Sequence, residues 1–287
     1  MEVTYNSNDK TLEVTEEMKD AFAKDGYIIV RKLFENEELV KMKRNYEEGE
    51  DYHKFKFMVK DKDGNQSAQI TWNFPGNDVF GMAARCEKLA GTCQQLLGGE
   101  VYHYHSKFVV KDPKTGGQRA WHQDYGYWYK NGCLFPDMMT VFIAIDAVNK
   151  GNGCLQVLQG SHRAGRVEHG QYGGEQGADV ERVEELKKFC PLKFVEMDPG
   201  DALFFHCNLL HTSDINSSDG RRLAFLPAYN RKSNDPVIDS HHPRYTPLEM
   251  VPNNAVLECD NYTGMEGKGF LDMANLKTLK TQVQFNK

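Results

Sequence analysis

From Val101 onward the chain becomes a train of short strands separated by turn signals, and this pattern narrows the possible folds most. Val101 to Val110 alternates and Trp121 to Tyr129 is aromatic-rich. Met138 to Val148 sets Met139, Val141, Ile143 and Ile145 on one face, with Thr140, Phe142, Ala144 and Asp146 on the other. Cys154 to Leu158, Leu192 to Met197, Ala202 to His206 and Arg222 to Tyr229 read as further strands. Lys150-Gly151-Asn152-Gly153, Asp198-Pro199-Gly200-Asp201 and Asp219-Gly220 are the turns between them. Such a series behind a helical N-terminal part predicts a mostly β protein with flanking helices, a double-stranded β-helix or jelly roll of the cupin kind.

The helical part spans residues 15–98. Thr15 can cap a helix from Glu16 to about Lys24, with Met18, Ala21 and Phe22 on one face, ended by Asp25-Gly26. Tyr27 to Val30 reads as a buried strand. Asn36 can cap a second helix carrying Leu39, Met42 and Tyr46. Residues 50–77 read as polar and irregular. Asp61 to Asn65 is a turn there, without the later ligands of a calcium loop. Val79, Met82, Ala83, Cys86, Ala90, Cys93 and Leu97 predict one amphipathic helix from Asn77 to Leu97, stopped by Gly98-Gly99. A single domain of 287 residues is expected, with a jelly-roll core over about 101–230. An irregular segment over 240–287 either wraps the barrel or is partly mobile.

Composition and the chain's ends argue against several roles. A formal net charge of −6 argues against a nucleic-acid or anionic-membrane partner. Seven scattered cysteines without a C-x-x-C pair read as free thiols in a reducing compartment. The start MEVTYNSNDK lacks the pattern of a signal peptide, no apolar run approaches the roughly 20 residues of a membrane span, and VQFNK is not a peroxisomal address. The cytoplasm is the expected compartment. Oligomeric state is not readable.

The chemistry concentrates at Trp121-His122-Gln123-Asp124. In a strand, residues i and i+2 share a side, so His122 and Asp124 would offer one imidazole and one carboxylate to one metal. An isolated H-x-D often arises by chance. The third ligand must come from elsewhere: His211, at the end of a strand leading into a polar turn, is the leading candidate, and His206 its rival. His103 and His105 read as structural or pocket-lining. Two histidines and one carboxylate form the facial triad of non-haem Fe(II) oxygenases, while the H-E-x-x-H helix of many zinc hydrolases is absent. Arg222, 11 residues after His211, could clamp a carboxylate with its planar fork, as 2-oxoglutarate requires. Ser213 could add a hydroxyl. Arg221 competes, but neighbouring strand side chains alternate, so only one faces inward.

The segments WHQDYGYWYKNG (121–132), GNGCLQVLQGSH (151–162), PGDALFFH (199–206) and HTSDINSSDGRRLAF (211–225), with the opening Asp25 to Arg31, resemble the phytanoyl-CoA dioxygenase family of Fe(II)/2-oxoglutarate oxygenases. The likeness runs from about residue 15 to 230. It implies the jelly-roll fold, and it implies His122, Asp124 and His211 as iron ligands. It further implies Arg222 and Ser213 as binders of the 2-oxoglutarate carboxylate away from the metal, with Lys107 and Thr140 at co-substrate positions. Thr140 stands where the family often carries Trp. Asp124 separates the chain from related halogenases, in which the carboxylate is missing so that halide can bind iron.

The expected reaction uses O2 and 2-oxoglutarate, releases succinate and CO2, and oxidises an unactivated C–H bond by hydroxylation, ring closure or desaturation. Tyr125, Tyr127 and Trp128 are pocket candidates, and Arg119, Lys107 and Arg163 could meet an anionic substrate group. WHQDYGYWYKNGCLFPDM resembles the proline-hydroxylase-like members, which favours an amino acid or similar small acid over an acyl-CoA. A non-catalytic cupin-like metal- or ligand-binding protein is the alternative of another class.

Overall fold

The computed structural model describes residues 1–6, 12–172 and 175–272. β1 (Glu2–Thr4) and β2 (Tyr27–Arg31) flank α1 (Glu16–Asp25). The Thr15 hydroxyl accepts from the Met18 N–H at 3.2 Å to start α1, and Gly26, at φ +82°, ends it. α2 (Asn36–Glu48) is capped one residue earlier than expected. Glu35 precedes it, and the Glu35 N–H donates to the Glu38 carboxylate at 2.8 Å, so Asn36 is already helical.

Residues 50–77 are more ordered than expected: they hold α3 (Glu50–Lys54), β3 (Phe57–Lys60) and β4 (Gln66–Trp72). β3 and β4 form a hairpin, whose turn is held by Asp61 accepting from the Asp63, Asn65 and Gln118 N–H groups. The expected single helix over 77–97 is also broken. It comprises α4 (Val79–Arg85), a π-helical turn (Glu87–Gly91) and α5 (Thr92–Leu97), with Cys86 extended at φ −68°, ψ 148°. The reason is tertiary. The C-terminal segment pairs Val251 with Cys86, and Asn253 accepts from the Lys88 N–H at 2.6 Å. Lys88 is also drawn inward to Glu38, at 2.7 Å.

β5 (Val101–Lys111), β6 (Arg119–His122), α6 (Tyr125–Trp128), β7 (Met138–Ala144), β8 (Leu155–Leu158), β9 (His169–Tyr172), β10 (Glu175–Ala178), α7 (Val180–Lys187), β11 (Leu192–Val195), β12 (Ala202–His206), β13 (His211–Ser213) and β14 (Arg222–Arg231) follow. α8 (Ala255–Glu258) lies in the C-terminal segment. One sheet has the order β1-β2-β12-β7-β14-β5-β4-β3, and a smaller one β11-β8-β13-β6. β9 and β10, a hairpin the sequence reading did not find, pair separately.

The two faces of β7 were read correctly. Met139, Val141 and Ile143 join the core under the helices, with Met42, Phe80, Phe108 and Phe225. Phe142 and Ala144 meet Leu155, Val157 and Leu203 between the two sheets. The described C-terminal residues wrap the large sheet, where Phe270 bridges to Trp72. Residues 273–287 lie outside the described part.

Candidate metal centre

β6 and β13 are antiparallel neighbours in the small sheet, and their register sets His122 opposite His211. The imidazole centroids are 4.1 Å apart. Asp124 reaches the same point by a different route from the one expected. β6 ends at His122, and Asp124 is already helical at φ −57°, ψ −38°, leading into α6. The i, i+2 argument for a strand therefore does not hold, yet the turn brings the carboxylate in. Ligand atoms of His122, Asp124 and His211 lie within 4.8 Å of one another. This is the one such group of three among the described residues.

Each imidazole is oriented from behind. His122 Nδ1 lies 2.8 Å from the Ala120 carbonyl and His211 Nδ1 2.9 Å from that of Leu209. A carbonyl only accepts, so each Nδ1–H donates and each Nε2 keeps a bare lone pair. Burial pushes both imidazoles below the usual range, so both are neutral at pH 7. Burial acts against ionised Asp124, but Lys107, the imidazoles when protonated at low pH and the Thr140 hydroxyl outweigh it and hold the carboxyl at about 2. The hydroxyl donates to Asp124 at 2.6 Å, and Lys107 Nζ stands 3.8 Å away.

The three side chains line a cavity of about 460 Å³ between the sheets. Lys107, Arg119, Tyr127, Trp128, Ser213 and Arg222 line it too. Arg222 is 1% exposed. Its Nη1 donates to the Gly153 carbonyl at 2.5 Å, and its Nε is buried without a partner. Burial lowers this guanidinium to about 10. Arg221 points the other way, to Asp146 at 3.0 Å and Glu47 at 2.7 Å. Thus the alternation of β14 places Arg222 inward.

Tyr125, Arg163 and Thr140 stand elsewhere than expected. Tyr125 is core: its hydroxyl donates to the Cys133 carbonyl at 3.1 Å, because α6 turns it away from the cavity. Arg163 is exposed in a short helical turn and does not line the cavity. Thr140 holds Asp124 but is not itself part of the cavity wall. His206 packs against His162 and Phe22, away from the triad. His103 is structural, bonded to the Asn73 carbonyl and Ser106. The sequence reading missed Gln69, Thr71, Asn131, His241 and His242, all of which line the cavity.

The sequence profile described as phytanoyl-CoA dioxygenase (PhyH) matches residues 22–224. The chain belongs to the phytanoyl-CoA dioxygenase family. It is 31% identical to the L-proline trans-4-hydroxylase of Streptomyces griseoviridis over 195 residues, 61% of this chain and 72% of that one. It is 24% identical to the ectoine dioxygenase of Stutzerimonas stutzeri over 276 residues, 87% and 91% of the two chains. The crystal structure of EctD from S. alaskensis with 2-oxoglutarate and 5-hydroxyectoine shares the fold, with a TM-score of 0.66, 22% identity and 90% of each chain covered. Among the described residues, no helix of this family member is long and apolar enough to cross a membrane.

Proposed function

We propose that the chain is an Fe(II)- and 2-oxoglutarate-dependent dioxygenase that oxidises an unactivated C–H bond of a small amino acid or amino-acid-like acid. One observation carries the reading: two neutral imidazoles and one ionised carboxylate converge in a cavity that also holds a buried, half-partnered arginine. The donor set fits iron. Two nitrogens and one carboxylate oxygen on one side leave coordination positions open, the facial arrangement of non-haem Fe(II) oxygenases.

In this reading His122, Asp124 and His211 hold the iron. The metal, with 2-oxoglutarate and O2, supplies the oxidising power while the co-substrate becomes succinate and CO2. The protein supplies position and charge. Ala120 and Leu209 fix the imidazole tautomers, and Thr140 and Lys107 keep Asp124 ionised and aimed. Arg222 meets the carboxylate of 2-oxoglutarate away from the metal, with Ser213 beside it.

A cavity of about 460 Å³ shared with 2-oxoglutarate suits a small metabolite better than a long acyl chain. The likeness to a proline hydroxylase and to ectoine dioxygenases supports the same class. The test is aerobic incubation with Fe(II), 2-oxoglutarate and a panel of amino acids, L-proline first, assayed for succinate by chromatography. Succinate stimulated by one acid, with a product heavier by one oxygen or lighter by two hydrogens, is the expected result. Iron and 2-oxoglutarate bound without any succinate would favour the non-catalytic alternative.

A further inference from the structure

The cavity face of the large sheet is a ladder with two chemically different ends. Along β5, Lys111, Val109, Lys107 and His105 lie at alternate positions, paired on β14 with Arg222, Ala224, Leu226 and Ala228. Ala228 pairs onward with Thr140, which holds Asp124. The Arg222 rung and the His105 rung are six residues apart, roughly 20 Å of strand. Given the proposed function, 2-oxoglutarate runs from the metal toward Arg222. The His105 end is then left for the primary substrate.

That end is built from imidazole. His105 is 5% exposed, and among the described residues neither of its ring nitrogens has a hydrogen-bond partner. His242 lies against it, with ring centroids 4.8 Å apart. The Asn73 side-chain amide donates to the His241 carbonyl at 2.7 Å, so its oxygen faces His242 Nδ1 at 3.2 Å and must accept. With its Nδ1–H donated to Asn73, His242 presents Nε2 as an acceptor only. Trp128 stands 5.6 Å from His105, edge to face, and closes one side with an apolar wall. Both histidines line the cavity.

Buried polar groups normally have partners. Whichever tautomer His105 adopts, its one N–H is unpaired. An acceptor brought by a ligand would satisfy that N–H, as a donor would the other nitrogen. Charge says which kind. Asp124 is the one carboxylate among the described cavity-lining residues, against Lys107, Arg119, Arg222 and Lys60 at the rim. The charges of iron(II) and the 2-oxoglutarate dianion cancel, so the cavity stays cationic after both bind. Lys107 acts on both His105 and His242. A cationic group is unwelcome there and an anion is favoured.

We propose that the His105 N–H docks a carboxylate of the primary substrate, at the end of the cavity opposite Arg222, with the His242 ring packed against His105. The substrate class is a small free carboxylic acid, its body against Trp128 and its oxidisable carbon toward the triad. The inference rests on the proposed function and adds the anchor that selects the substrate.

The test uses the full chain, loaded anaerobically with Fe(II) and 2-oxoglutarate. L-amino acids and their carboxamides, L-proline and L-prolinamide first, are titrated while the visible charge-transfer band is followed. An acid should perturb the band where its carboxamide does not. His105→Phe should raise the half-saturating acid concentration about tenfold to a hundredfold, the loss of one hydrogen bond to a charged group, and His105→Gln, which keeps a donor, should recover most of it. The half-saturating 2-oxoglutarate concentration should move far less. Equal effects of acid and carboxamide, unchanged acid binding in His105→Phe, or no response to any acid in the set would overturn the proposal. Absence of the band before any probe is added would instead overturn the proposed function beneath it.

Discussion

Replacing Arg222 by Met should separate stability from co-substrate binding. In the free protein this guanidinium is a cost. It is buried and, among the described residues, makes one hydrogen bond, to Gly153, with Nε unpartnered and no carboxylate beside it. Met keeps much of the volume and removes the buried charge, so the melting temperature of the protein without co-substrate should stay the same or rise. With 2-oxoglutarate the sign reverses. Removing one partner of a buried, hydrogen-bonded charge pair costs about 2–5 kcal/mol, a weakening of roughly 30- to 4000-fold at 1.4 kcal/mol per tenfold. Anaerobic titration with 2-oxoglutarate at saturating Fe(II) reads this directly, and a thermal melt reads the other half. Arg221→Met is the control, because its surface ion pairs are worth at most about 1 kcal/mol. An Arg222→Met affinity within threefold of the parent, or an equal loss in Arg221→Met, would refute the reasoning.

Other outcomes follow from the same geometry. Lys88→Met leaves Glu38 charged in a site 2% exposed, so it should destabilise by about 3–5 kcal/mol in a denaturant melt without weakening iron binding. Gly153 sits at φ +78°, and an added Cβ would come within 2.3 Å of the Asp214 carbonyl. Gly153→Ala should therefore displace the carbonyl that holds Arg222 and weaken 2-oxoglutarate binding, read in the same titration. Burial lowers Lys111 from its ordinary 10.5 to about 6, so between those values the unfolded chain binds more protons than the folded one. Stability of the parent relative to Lys111→Met should then rise as pH goes from 6 to 10, measured by urea melts across that range, and a flat or falling difference would contradict it.

What the sequence revealed and what it hid follow from physical causes. β7 was legible because it is buried on both sides and reads as an apolar run broken only by Thr140. Arg222 was separable from Arg221 because strand neighbours point oppositely. β4 was hidden: its inward residues Gln69 and Thr71 are polar because they face a polar cavity, so the usual apolar alternation is blurred. The break at Cys86 was invisible because its cause, the backbone of Val251 and the side chain of Asn253, lies far along the chain. Tyr125 was misplaced because α6 begins directly after the H-x-D motif and rotates it into the core. His242 carried no motif at all; only the folded path of the irregular segment brings it to His105.

The most direct test of the central claim is anaerobic titration of the metal-free protein with Fe(II) and then 2-oxoglutarate, following the visible metal-to-ligand charge-transfer band. The account predicts one band at one iron per chain, abolished in His122→Ala and in His211→Ala and kept in His206→Ala. Bound iron without the band, or a band that survives in His122→Ala, would contradict it.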